Sequence, residues 1–204
     1  MPQFHLSGLP VWWSALQPQR ILIVGPSGSG KTTLARQLGQ IHDFPFVDLD
    51  DLHWLPNWQT RPHTELRAAV AAVVAQEAWV ISGNYNMLQD LTWPRAQLVI
   101  WLDLSLPLTL GRVIWRCLTR SILKEPCCNG NYESLRMTFL SKDSLLLWVL
   151  HSHAKIRLRY CERAEAETGS PVLRLNEPAA VETFFRQLKR LRDSRGIWVF
   201  KVTR

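Results

Sequence analysis

The sequence predicts a three-layer α/β/α fold built on a parallel sheet. Three observations predict it. Residues Gly25-Pro26-Ser27-Gly28-Ser29-Gly30-Lys31-Thr32 fit the phosphate-binding pattern G-x-x-x-x-G-K-S/T without a mismatch. The pattern sits between an apolar β-branched stretch, Arg20–Val24, and a helical run with Leu34 and Leu38 on one face. Beyond it, apolar strand-like runs alternate with helix-like runs, as in a sheet covered by helices on both faces.

Each element follows in order. Arg20–Val24 is the first strand, and Thr33–Gly39 begins the first helix. Pro45–Asp50 reads as the second strand, with its carboxylates at the C-terminal end, where open α/β sheets bind ligands. Glu65–Gln76 is alanine- and valine-rich and reads as a helix. Trp79–Gly83 and Gln97–Asp103 are the third and fourth strands. Pro107 suits the opening of a helix running to about residue 122. Pro126, Asn129, Gly130 and Asn131 break the pattern, and residues 123–134 are expected to form a lid. Ser141–Glu167 reads as one long helix, stopped by Gly169-Ser170-Pro171. Val172–Leu175 is the fifth strand and Ala179–Leu191 the closing helix. Residues 1–19 are expected to be an N-terminal extension, 20–195 the domain, and 196–204 a tail that is either an edge strand or a disordered end.

Bulk properties bound the function. A chain of 204 residues, 47% hydrophobic and 20% charged, has the size and balance of one soluble domain. It holds no run of 18 apolar residues, and Met1–Gln19 lacks the basic start and long apolar core of a signal peptide. Cys117, Cys127, Cys128 and Cys161 form no C-x-x-C pair, which argues against zinc and for free thiols in a reducing cytoplasm. Residues 1–111 carry 6 basic and 8 acidic side chains, whereas 112–204 carry 18 and 9. The +9 balance of the second half fits arginines that clamp phosphates, contact with nucleic acid or membrane, or a solvated basic helix face.

The chemistry starts at the glycine loop. Gly25, Gly28 and Gly30 permit a turn whose N–H groups point inward at an anion, and Ser27, Ser29 and Thr33 flank it. The helix starting near Gly30 adds its positive end. Lys31 is expected to reach the β- and γ-phosphates of ATP, and the Thr32 hydroxyl to ligate Mg²⁺. Arg112, Arg116 and Arg120, four apart, place guanidiniums along one helix side, where phosphoryl transfer needs cations. Asp48 and Asp50 alternate along the second strand. One is expected to hold a metal-bound water and the other the acceptor hydroxyl, though such residues also cap helices. His53 stands beside them as a base or a bystander. Trp54 and Trp58 could stack on a substrate ring or pack in the core. Ser82 ends the third strand where many such enzymes carry a metal-directed carboxylate, and Asp103 is a weak replacement. No N-K-x-D or L-S-G-G-Q stretch occurs, which argues against a GTPase and a transporter engine.

These features resemble the adenylate-kinase-related P-loop proteins of bacteria, some labelled topology-modulation protein. The shared features are the loop, Leu49-Asp50 followed by Trp54, Pro56 and Trp58, then Trp79-Val80-Ile81-x-Gly83-Asn84-Tyr85 and Leu98–Asp103. Asn129-Gly130-Asn131-Tyr132-Glu133 resembles a lid element of a subgroup, with Tyr132 in place of arginine. The resemblance implies a nucleotide-kinase-type fold with a helical lid and strand order 2-3-1-4-5. It places Arg112 and Arg116 on ATP. Relatives often read Asp-Gly-Asn-Tyr where this chain has Ser82, and no Asp-Gly-Phe-Pro-Arg run occurs.

The resulting expectation is an ATP- and Mg²⁺-dependent phosphotransferase, a monomer or homodimer, acting on a nucleotide or small hydroxylated metabolite. Lys31, Asp50 and Arg116 would carry the chemistry. The loop residues with Arg112 and Arg116 would bind ATP, and Thr32 and Asp48 the metal. Asp50, Trp54, Trp58 and Asn84 would line the acceptor pocket. The rival is a nucleotide-binding regulatory or DNA-associated protein with little turnover.

Overall fold

The computed structural model describes residues 6–135, 144–165 and 169–194. Five strands form one sheet: β1 (Arg20–Val24), β2 (Phe46–Asp48), β3 (Trp79–Ser82), β4 (Leu98–Leu102) and β5 (Val172–Leu175). All pairings are parallel and the order is 2-3-1-4-5. The helices are α1 (Leu9–Leu16), α2 (Lys31–His42), α3 (Leu49–His53), α4 (His63–Val74), α5 (Gln89–Thr92), α6 (Leu106–Leu123), α7 (Leu145–Glu165) and α8 (Pro178–Ser194).

The two-residue period of a strand decides which side chain meets which layer. Ile21, Ile23, Leu98 and Ile100 face Leu34 and Leu38 of α2 and Phe184 and Leu188 of α8. Leu22, Val24, Val99 and Trp101 face Leu66 and Val70 of α4 and Ile156 and Tyr160 of α7. Both faces are covered, so these strands read as unbroken apolar runs. Full burial of such a side chain stabilises the fold by about 1.5–3 kcal/mol.

The first nineteen residues, expected as an extension, hold α1. Its Leu9 and Trp13 are buried in the same layer as α2 and α8. Residues 1–5 and the 196–204 tail lie outside the described residues, as do 141–143 and 166–167 of the expected long helix.

The helix Gln89–Thr92 and the antiparallel pair Trp54–Leu55 with Gln59–Thr60 are not anticipated by the sequence, and two further segments near the site differ from what it predicts. β2 ends at Asp48 rather than Asp50, because the Asp48 carboxylate accepts the Asp50 N–H at 3.1 Å and caps α3. Asp50 therefore lies in the first turn of a helix, and the two carboxylates do not alternate along a strand. The segment expected to form a lid holds a β-hairpin, Pro126–Cys127 against Asn131–Tyr132, between α6 and α7. Lys124, Cys128, Asn129 and Gly130 all have positive φ, which no α-helix accommodates.

Candidate active site

The glycine loop leaves the C-terminal end of β1 and turns into α2, with Gly30 as the left-handed N-cap (φ 94). A Cβ on Gly30 would meet nothing within 4 Å, so the loop is open there and only φ demands glycine. Gly28 (φ 78) is different. A Cβ there would strike the Thr109 carbonyl oxygen and come within 2.8 Å of Val113. At Gly25 a Cβ would lie 2.5 Å from the Leu102 carbonyl oxygen. The loop thus rests on the end of β4 and the first turns of α6, with its free side at Gly30.

Asn84, just past β3, holds the loop from the opposite side. Its Oδ1 accepts the Gly25 N–H at 3.0 Å, its amide donates to the Gly25 carbonyl, and the Tyr160 hydroxyl donates to the same Oδ1 at 3.1 Å. An amide so engaged fixes the first glycine. This is a different post from the acceptor wall expected of it.

Lys31 curls back so that Nζ donates to the Pro26 carbonyl at 2.9 Å. Burial pulls its ammonium down to about 8, opposed by Asp50 and Asp48 and reinforced by Arg116. The Thr32 hydroxyl donates to Asp48 Oδ2 at 2.6 Å. Burial, with the nearby Asp50, raises the Asp48 carboxyl above its ordinary range. Ser82 lies beside Asp48 in the β2–β3 register, and its Oγ is buried without a partner, as is that of Ser29. The Thr32 hydroxyl, the Asp48 carboxylate and the unpartnered Ser82 hydroxyl beside it are hard oxygen donors that suit Mg²⁺, which keeps several waters and takes the rest of its shell from phosphates. Among the described residues no three-residue His/Cys/Asp/Glu cluster forms, so the donors fit that ion better than zinc. Asp103 serves elsewhere: it is buried between Arg174 and Arg157, with Arg157 at 3.4 Å.

The residues expected to face an acceptor lie on α3 and the chain after it. Asp50 is exposed and accepts the Tyr85 hydroxyl at 2.8 Å. Burial, together with the charge of Asp50, pushes that phenol well above its ordinary range. His53 packs between Tyr85 and Trp54, each 4.8 Å from it, and Trp58 meets Trp54 edge-on at 5.5 Å. Both tryptophans are half-buried, outside the two main core clusters.

The lid hairpin is docked on this segment. Asn129 donates to the carbonyls of Asp51 and Trp54, at 2.5 and 2.6 Å. Asn131 donates to the Leu55 carbonyl at 2.9 Å and accepts the Trp58 N–H at 2.8 Å. The Trp58 indole donates to the Tyr132 carbonyl at 3.1 Å.

The arginine series divides its work. Arg112 lines a cleft of about 710 Å³ with Gly28, Gly30, Thr33, Glu182 and Arg186. Arg116 lies near enough to Lys31 to act on its charge. Arg120 pairs with Glu133 at 3.0 Å.

A family model described as ATPase family associated with various cellular activities (AAA) matches residues 21–89. Over 61 residues the chain is 34% identical to shikimate kinase 2 of Sodalis glossinidius, a match covering 30% of this chain and 30% of that protein. A shikimate kinase from Acinetobacter baumannii, solved in complex with shikimate, superposes with a TM-score of 0.52. The identity is 18%, over 95% of this chain and 100% of that one. One from Bacteroides thetaiotaomicron gives 0.51 at 17% identity, over 86% and 99%. The chain has a P-loop NTPase fold. In that P-loop fold the site brings together Lys31, Thr32, Asp48 and Asp50 at the C-terminal ends of β1 and β2. Sequence reasoning missed Tyr85, Tyr160 and Glu133 as parts of the site. Tyr85 follows Asn84 in a quoted motif, and Glu133 ends the lid element. Tyr160 lies 76 residues from the asparagine that it contacts, and nothing local in the sequence links the two.

Proposed function

We propose that this protein is an ATP- and Mg²⁺-dependent phosphotransferase acting on a nucleotide or small hydroxylated molecule. The reading rests on the division between two carboxylates two residues apart. Asp48 is buried against the P-loop threonine, whereas Asp50 is exposed beside Tyr85. One is placed for a metal and the other for an acceptor.

In this reading the loop amides and Lys31 hold the β- and γ-phosphates, and Arg112 and Arg116 close over ATP. Thr32 and Asp48 would hold Mg²⁺, which supplies positive charge against the phosphate oxygens. Asp50 orients the acceptor hydroxyl. The acceptor oxygen bonds to the γ-phosphorus, the bond to the β–γ bridging oxygen breaks, and the acceptor's proton passes to Asp50 as ADP leaves. Trp54 and Trp58 offer aromatic faces to an acceptor ring. Asn84 keeps Gly25 in place, and the docked lid excludes water that would otherwise take the phosphoryl group. The finer resemblance to adenylate-kinase-related bacterial proteins, a cytoplasmic setting and a monomeric or homodimeric state belong to the same proposal.

The test is phosphoryl transfer from labelled ATP to a panel of nucleotides and hydroxylated metabolites, with Lys31→Ala as the control. A Lys31→Ala protein that binds ATP–Mg²⁺ as tightly as the parent overturns the assignment. A second reading, a nucleotide-binding regulatory or DNA-associated protein, draws on Ser82 standing beside Asp48 without a second carboxylate. DNA binding that weakens steeply between about 50 and 200 mM salt supports it, and none at low salt removes it.

A further inference from the structure

The lid element Asn129–Glu133 ends on a carboxylate to which phosphotransfer has so far given no task. The Glu133 side chain is only 9% exposed, unusual for a glutamate in a loop. It is fixed at both ends. Its main-chain carbonyl accepts the Ser121 hydroxyl at 3.1 Å, and its Oε1 accepts Arg120 Nη1 at 3.0 Å. The same Oε1 stands 3.8 Å from Arg116 Nε, too far for a hydrogen bond. Glu133 Oε2 and Arg116 Nε are both buried without a hydrogen-bond partner. Orphaned buried polar atoms cost free energy, and two of them beside one ion pair leave that pair open to a further ligand. Arg116 is the lid-side arginine whose charge acts on Lys31.

We propose that Glu133 is a positioning residue that holds Arg116 over the phosphoryl end of the site, ready for the γ-phosphate. The inference rests on the phosphotransfer reading. A free arginine side chain loses rotamer freedom when it is ordered. The Glu133 carboxylate, 3.8 Å from Arg116 Nε, draws the guanidinium toward that position before ATP arrives. The carboxylate belongs to the lid, and the lid grips the acceptor segment through Asn129 and Asn131. Arg116 is therefore in place only while the lid sits on the acceptor side. That arrangement links acceptor enclosure to charge neutralisation at the donor.

Calorimetric affinities for AMP-PNP–Mg²⁺ and ADP–Mg²⁺ separate the possibilities, measured on the full chain for the parent, Glu133→Gln, Arg116→Ala and the double variant. Glu133→Gln is expected to weaken AMP-PNP roughly tenfold and leave ADP unchanged, as loss of a charge-assisted contact at the γ-phosphate should. In the Arg116→Ala background the same substitution should add nothing. Glu133→Asp, which keeps the charge, should recover part of the loss and stands in if the glutamine variant does not fold. Equal loss for both nucleotides, an undiminished loss without Arg116, or tighter AMP-PNP binding overturns the proposal. A parent that binds neither nucleotide overturns the phosphotransfer reading itself.

Discussion

The Thr32 hydroxyl donates to Asp48 Oδ2 at 2.6 Å, tying the first turn of α2 to the C-terminal end of β2. The carboxylate in this contact is buried, and burial has raised it above its ordinary range. A folded acid with a raised pKa lends stability below its unfolded value and loses it as pH rises through the folded value. At neutral pH Asp48 therefore weakens the nucleotide-free protein.

Asp48→Asn is expected to raise the melting temperature of the nucleotide-free protein by roughly 2–4 °C, about 1 kcal/mol. The same variant should lose most of the further rise that Mg²⁺–ATP gives the parent. Differential scanning calorimetry near neutral pH, with and without Mg²⁺–ATP, checks both. A lower melting temperature in the free variant would show the carboxylate to be a structural asset.

Lys31 supplies a pH signature. Its ammonium titrates near 8 in the free protein, below the lysine range, because burial disfavours the charge. Above about pH 8 a triphosphate must bind with proton uptake, so affinity should fall by up to about tenfold per pH unit. Over the same window the nucleotide-free protein should become more stable, since the unfolded lysine still holds its proton. Calorimetry in two buffers of different ionisation heat reads the proton count.

The loop glycines should not be equivalent. Gly30→Ala carries only left-handed backbone strain, about 1–2 kcal/mol, because its Cβ enters open space. Gly28→Ala adds a collision with the Thr109 carbonyl and displaces α6 from the loop. Chemical denaturation should place Gly28→Ala well below Gly30→Ala in stability, and only the former should lose the α6–loop contact.

Asn84→Leu removes three contacts, two of them to Gly25, while filling similar volume. The expected outcome is a folded protein with roughly tenfold weaker ATP binding, because the loop is no longer pre-set. Amide exchange at Gly25 should speed up in the same variant.

Much of this molecule was legible from its sequence. β1 and β5 fall on their expected residues because buried parallel strands are written as short apolar blocks. The loop was legible because its glycine spacing is set by local backbone geometry. The boundary at Asp48 was not, since aspartate after an apolar run serves a strand end and a helix cap alike. The lid hairpin was also obscured: its two-residue strands are too short for any periodicity to appear. Asp103 was indistinguishable from a metal ligand until β5 brought Arg174 alongside it. Site partners such as Tyr160 depend on contacts distant in the chain, which no local pattern encodes.

Asn129 and Asn131 grasp main-chain groups around residues 51–58 and none of the side chains there. Substitutions at Asp51, Trp54 or Leu55 can therefore reshape what the pocket admits and leave the clasp intact. Trp58 is the exception, because its indole itself donates to the Tyr132 carbonyl and a change there touches the clasp as well.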